Sequence, residues 1–189
     1  MDPKLHTIIS STRPGRVGPA VGRWFHELAR QHGGFDAELV DLVDFGLPLY
    51  DESIHPRAQQ YEREHTRRWS ESVNAADAFV FVMPEYNYSP PPALVNALAY
   101  VSREWHYKPA GFVGYGAGFS GGLRAVQAAR LHVTTLKVMP MVECVAIPTI
   151  SSHLDEQGAF RSTEVIDAAA VGLLDELRRW AVALKPMRG

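Results

Sequence analysis

Five short apolar runs, Leu5 to Ser10, Ala37 to Leu42, Ala78 to Met83, Gly111 to Tyr115 and Val142 to Ile147, are separated by stretches with helical periodicity. Runs of this length bounded by turn residues read as strands, so the chain alternates strand and helix along its length. The third and fourth runs are continuously apolar, which suits parallel strands covered on both faces and not a half-solvated antiparallel sheet. Helices are expected over about Val17 to Gln31, Pro56 to Asn74, Pro92 to Trp105, Gly122 to Leu136 and Thr163 to Leu184. Val17, Val21, Trp24 and Leu28 share one side of the first, and Pro19 suits an opening helical turn. Leu123, Val126, Ala129, Val133 and Leu136 recur at the same spacing in the fourth, as do Ile166, Leu173, Leu177, Trp180 and Leu184 in the fifth. No stretch is long enough for an interdomain linker, and 189 residues suit a single domain over 1–189.

Composition narrows the function classes. Hydrophobic residues at 46% and charged residues at 21% give a folding chain, not a disordered one. A net charge of −2 offers neither a basic surface for a nucleic acid nor an acidic tail. Charged residues, proline or glycine interrupt every apolar run before bilayer-spanning length, so no membrane association is expected. The single cysteine, Cys144, has no partner within the chain and reads as an inert core thiol, and the first residues show no secretory pattern. A cytoplasmic address is therefore expected. The eight histidines show no metal-ligand spacing, and no metal is expected.

In an open parallel sheet ligands sit beyond the carboxyl ends of the strands. The first such loop, Ser10-Ser11-Thr12-Arg13-Pro14-Gly15-Arg16-Val17-Gly18, brings hydroxyls and guanidiniums to the positive end of a helix, chemistry suited to a terminal phosphate. It is neither a P-loop nor the Gly-x-Gly-x-x-Gly dinucleotide fingerprint. Ser11 and Arg13 are the strongest candidates there, ahead of Arg16. The loop after the third strand, Pro84-Glu85-Tyr86-Asn87-Tyr88-Ser89-Pro90-Pro91-Pro92, is stiffened by proline and carries rings and an amide suited to edging a flat heterocycle. After the fourth strand, Tyr115-Gly116-Ala117-Gly118-Phe119-Ser120-Gly121-Gly122-Leu123-Arg124 lets backbone approach a ligand closely.

Ser-Ser-Thr-Arg-Pro-Gly-Arg at 10–16, Pro-Glu-Tyr-Asn-Tyr-Ser at 84–89, and Tyr-Gly through Ser-Gly-Gly-Leu-Arg-Ala at 115–125 together resemble the NADPH-dependent FMN reductase family, which includes quinone, azo-dye and chromate reductases. The resemblance runs from about Leu5 to Leu136. It implies a flavodoxin-like α/β/α sandwich with a five-stranded parallel sheet in the order 2-1-3-4-5. Ser11, Arg13 and the backbone near Val17 and Gly18 would then hold the FMN phosphate. Pro84, Glu85, Tyr86, Asn87 and Tyr88 would line the ribityl chain and isoalloxazine, and Tyr115, Gly116, Ala117, Gly121 and Gly122 its pyrimidine side. Arg16, Ser89, Gly118 and Ser120 complete the candidate set from the same loops.

The implied activity is hydride transfer from NADPH or NADH to bound FMN and two-electron delivery to a small-molecule acceptor. The flavin carries that chemistry, so no catalytic acid or base is assigned, and Glu85 is placed with the cofactor-binding residues. A non-enzymatic electron carrier of the flavodoxin type and a flavin-binding regulatory module are the rival readings. The resemblance also implies a homodimer, or a homotetramer, with flavin sites near the interface. Trp69, Tyr100 and Trp105 fit either interface anchors or core packing, whereas His106 and Tyr107 read as a packed helix end. Two positions depart from the family's pattern: Ser10 stands where glycine is usual, and Tyr88 stands where a small residue, often glycine, is usual. The third loop is also longer by about two residues around Gly118 and Phe119.

Overall fold

The computed structural model describes residues 2–188. Its strands and helices follow one another as β1 (Lys4–Ile9), α1 (Gly18–His32), β2 (Asp36–Asp41), α2 (Glu64–Ala75), β3 (Ala78–Pro84), α3 (Pro92–Tyr100), β4 (Pro109–Tyr115), α4 (Leu123–Thr134), β5 (Met139–Pro140), β6 (Val145–Ile147) and α5 (Glu164–Leu184). All strand pairings are parallel, in the order β2-β1-β3-β4-β5, with β6 also on β4. The order agrees with expectation, and the fifth position is filled by two short strands instead of one. Met139 and Met141 donate their N–H groups to Lys108 O (3.0 Å) and Ala110 O (2.8 Å) of β4, Pro140 between them turns its N-substituted face to the open edge, and the chain then leaves the sheet until β6 rejoins it at Val145.

The central strands β1, β3 and β4 are buried on both faces, as continuous apolar strands require, while the edge strand β2 alternates in exposure. Along β3, Phe79, Phe81 and Met83 pack under α2, α3 and α4, while Ala78, Val80 and Val82 face α1 and α5. The α2–α4 face is aromatic: Trp105 meets Phe79 at 4.8 Å between ring centroids, and Trp69 meets Trp105 at 5.8 Å. Full burial of such rings contributes roughly 2–3 kcal/mol each. On the other face α5 comes close to β4, and a Cβ on Gly111 would lie 2.8 Å from Leu173 Cδ1. Trp69, Tyr100 and Trp105 are all buried, so they are core residues of this chain and not interface anchors. Cys144 is only half-buried against that core.

Two helix expectations are corrected. The helix expected from Pro56 begins only at Glu64, because Gln59 has φ 53° and ends a 3-10 turn at Pro56–Ala58. The third helix stops at Tyr100 and resumes as a 3-10 turn at Arg103–Trp105, where Glu104 accepts a hydrogen bond from the Ser102 N–H. No helix among the described residues is long and apolar enough to cross a membrane.

Candidate functional site

Strands β1, β3 and β4 end in register: Ile9 lies opposite Val82, and Pro84 opposite Tyr115. The ladder continues one step into each loop, with Ser10 N–H donating to Val82 O (2.9 Å) and Glu85 N–H to Tyr115 O (2.9 Å). The three candidate loops therefore leave the sheet side by side.

In the first loop α1 opens at Gly18 with no side chain capping it, so its first N–H groups face outward without a side-chain acceptor. Thr12 to Gly15 are exposed, and Arg13 makes no hydrogen bond or ion pair among the described residues. Ser11 is wholly buried, its hydroxyl 3.4 Å from that of Tyr115. Burial pushes the Tyr115 hydroxyl up to about 12, which keeps it a donor. Gly18 covers this pair so closely that a Cβ there would collide with Ser11 Oγ. Arg16, by contrast, is committed within the protein: its Nη1 and Nη2 each lie 2.7 Å from Asp41, and Nη1 also donates to Ser11 O at 2.6 Å. The Asp41 bond raises the guanidinium pKa. Arg16 thus ties the loop to the end of β2 and positions it, leaving Arg13 as the free guanidinium.

In the second loop Tyr86 and Ser89 exchange both backbone hydrogen bonds (3.0 and 2.9 Å), closing a two-residue turn with φ 50° at Asn87 and 65° at Tyr88. Such a turn favours glycine, so Tyr88 holds its left-handed position at some conformational cost. The Tyr88 ring is 66% exposed, and the Arg124 guanidinium lies 4.2 Å from its centroid. Arg124 also pairs with Glu85 at 3.2 Å. The Glu85 carboxylate further accepts from the Arg124 N–H (3.2 Å) and lies 3.4 Å from Ser120 Oγ, so it caps α4 and joins the second loop to the third.

The third loop folds back on the β6 end. Gly116 N–H donates to Ile147 O (3.2 Å), Ile150 N–H to Gly116 O (3.0 Å) and Ile147 N–H to Gly121 O (3.1 Å). Gly122 has φ 86° and packs so tightly on β4 that a Cβ would sit 2.5 Å from Tyr115 N. Ala117, Gly118 and Phe119 remain exposed, Phe119 at 89%. Phe119 thus forms an apolar lip on this loop.

A family model described as NADPH-dependent FMN reductase matches residues 3–151. The chain belongs to that family. An NAD(P)H-dependent FMN reductase of Schizosaccharomyces pombe is 37% identical over 151 residues, 77% of this chain and 74% of that protein. A quinone reductase of Pseudomonas putida is 33% identical over 146 residues, 75% and 73% of the two. The solved flavoenzyme NAD(P)H:(acceptor) oxidoreductase FerB of Paracoccus denitrificans superposes with TM-score 0.75 and 21% identity, covering 96% of this chain and 98% of its own, a likeness of fold.

As a member of the FMN reductase family the chain meets several requirements for the cofactor: an uncapped helix N-terminus and exposed Arg13 for the phosphate, and a loop without bulky side chains at 116–118 for a ring edge. The sequence alone did not point to Asp41, nor to the Ile147–Ile150 segment that anchors the third loop. Both lie far along the chain from what they hold, and nothing in their local sequence marks them. Among the described residues no group of three or more His, Cys, Asp or Glu is placed to hold a metal.

Proposed function

We propose that the protein is an FMN-dependent NAD(P)H oxidoreductase of small quinone-like, azo or related acceptors. The observation that carries this reading is the convergence of an uncapped helix N-terminus, a free guanidinium and a glycine-rich loop at one edge of the sheet. Arg13 and the N–H groups at Val17 and Gly18 hold the phosphate, with Ser11 and Arg16 supporting the loop from beneath. The 84–89 loop, through Pro84, Tyr86, Asn87, Tyr88 and Ser89, flanks the ribityl chain and ring. Tyr115, Gly116, Ala117, Gly118, Ser120, Gly121 and Gly122 bring backbone to the pyrimidine edge.

Hydride uptake from NAD(P)H and two-electron delivery to the acceptor are the chemistry that bound FMN supplies. The chain's own residues bind, orient and exclude water. Glu85 is consumed as a cap and tether, consistent with a site that needs no side-chain acid or base. Exposed Leu49, Tyr88 and Phe119 sit on loops at this edge, and their apolar surface supports a homodimer closing over the site, or a tetramer built from it. A cytoplasmic protein with a small-molecule acceptor and no nucleic-acid or membrane partner completes the reading.

The visible spectrum of the purified protein, before and after anaerobic NADPH or NADH, tests the proposal. Oxidised-flavin bands that bleach support the reductase. Bands that persist with both nicotinamides would reassign it to a carrier or binding module, and failure to bind added FMN would remove the reading altogether.

A further inference from the structure

At the opposite end of the sheet, where the strands begin, a cleft of ≈1180 Å³ opens between α2, the 3-10 turn at Arg103–Trp105, the end of α4 and the C-terminal turn. Six cations line it, Arg57, Arg103, Lys108, Lys137, Lys185 and Arg188, against two carboxylates, Asp77 and Glu104. That local excess of positive charge stands in a chain of net −2.

Both carboxylates are already engaged. Asp77 takes Arg188 at 2.5 Å and the Lys4 N–H at 2.9 Å, with Lys185 3.8 Å away. Glu104 is buried and accepts from Tyr61 and Ser70, each at 2.7 Å. Lys108 is buried too, donating to the Val73 and Asn74 carbonyls at the end of α2. Arg57, Arg103 and Lys137 are left, all exposed and with no carboxylate partner among the described residues.

These three line the same cleft as His106. Its imidazole pKa is held below the ordinary value first by burial, then by Lys137, Arg103 and Arg57, with Glu104 alone opposing. The walls are also conformationally committed. Tyr107 and Lys137 have φ 57° and 55°, and they are joined by Tyr107 N–H donating to Lys137 O at 2.9 Å. The Arg188 Nε–H donates to Tyr107 O at 3.0 Å. Left-handed non-glycine residues locked by backbone hydrogen bonds cluster where a surface is held in one shape. Two other such residues, Asn87 and Tyr88, form the turn at the flavin end.

We propose that this cleft is a second ligand site, for a small soluble polyanion with at least two phosphate groups, held by Arg57, Arg103, Lys137 and His106 at the end of the sheet remote from FMN. Guanidinium forks match phosphate oxygens in pairs, and cations spread over three elements suit a chain of phosphates more than one carboxylate. The proposal stands independently of the flavin reading, because none of these residues belongs to the three loops.

The test is calorimetric titration of the FMN-loaded protein with inorganic triphosphate at low salt, alongside histidine NMR. Saturable binding that raises the His106 pKa is expected, since added negative charge favours the imidazolium. Arg103→Glu with Lys137→Glu should weaken it by roughly tenfold or more, a loss of ~1.4 kcal/mol or greater, while flavin content stays unchanged. Arg103→Gln with Lys137→Gln repeats the test without charge reversal and should weaken binding in the same direction. The proposal is overturned by any of four results: no binding, binding indifferent to both variants, displacement of FMN by triphosphate, or citrate binding as tightly. Binding to anionic vesicles in place of triphosphate would overturn the soluble source.

Discussion

The two ends of the sheet present opposite kinds of chemistry. Where the strands finish, the chain offers backbone: an uncapped helix, left-handed turns and a glycine loop pressed against β4, with Arg13 a cation that has no partner among the described residues. Where they begin, it offers side chains: exposed Arg57, Arg103 and Lys137 lining one cleft with His106, with Lys108 buried behind them. Recognition by backbone depends on the path of the chain and so tolerates few substitutions. Recognition by long side chains leaves the fold nearly indifferent to which residues supply it.

The harshest way to break that contrast is at Gly122. An alanine there would place its Cβ 2.5 Å from Tyr115 N and 2.7 Å from Gly114 C, at φ 86°. Gly122→Ala should cost roughly 3 kcal/mol or more in urea denaturation and should release FMN. Gly15→Ala, at φ 69° with open space around it, should cost only about 1 kcal/mol. Equal losses would mean that close packing against β4 is not what holds the loop.

At the other end Lys108 supplies the next largest effect. Burial lowers its pKa from 10.5 to about 7. Below that lower value both folded and unfolded chains carry the proton. Between the two values only the unfolded chain does, so stability climbs with rising pH. Denaturation curves for wild type and Lys108→Met should therefore diverge between pH 7 and about 10, wild type gaining roughly 2 kcal/mol or more relative to the variant. Parallel curves would show that the lysine titrates normally.

Arg13 and Arg16 separate binding from support within one loop. Arg13→Ala should weaken FMN by about tenfold, or ~1.4 kcal/mol, in fluorescence titration without changing the melting temperature. Arg16→Ala should lower the melting temperature as well, because it removes the paired bonds to Asp41 and the bond to Ser11 O that tie the loop to β2. The smallest effect is at Tyr88, where glycine fits the left-handed turn better: Tyr88→Gly should raise apoprotein stability by about 0.5 kcal/mol, read by thermal melting. A lower melting temperature would mean that the stack on Arg124 outweighs the turn.

The same contrast decides what the sequence made legible. The three loops were readable because each follows its strand directly and carries its glycines, prolines and hydroxyls within a few residues, whereas the strand order came only with the family resemblance that those loops carry. Arg16 was readable as a cation but not as a clamp, since Asp41 lies on another strand. Trp69, Tyr100 and Trp105 were ambiguous because helical spacing marks an apolar face without saying what covers it. The cleft left no motif at all: positions 57 and 137 join 103 and 106 only by folding, Arg57, Arg103 and Lys137 each alone read as solvated charges, and His106 reads as a packed helix end. The break at Gln59 was hidden because a helical pattern does not register one left-handed residue.

The interruption between β5 and β6 bears on how the molecule behaves in a crowded solution. A sheet edge with a long run of unpaired N–H and C=O groups invites a neighbouring chain to add a strand. At the β5–β6 side that run is two residues, the second of them Pro140, then a detour and three residues more, with Pro148 directly after them. No incoming strand finds an unbroken ladder to copy on that side, so the irregularity that splits the fifth strand guards this edge, and the six-residue β2 is left as the edge with a continuous run.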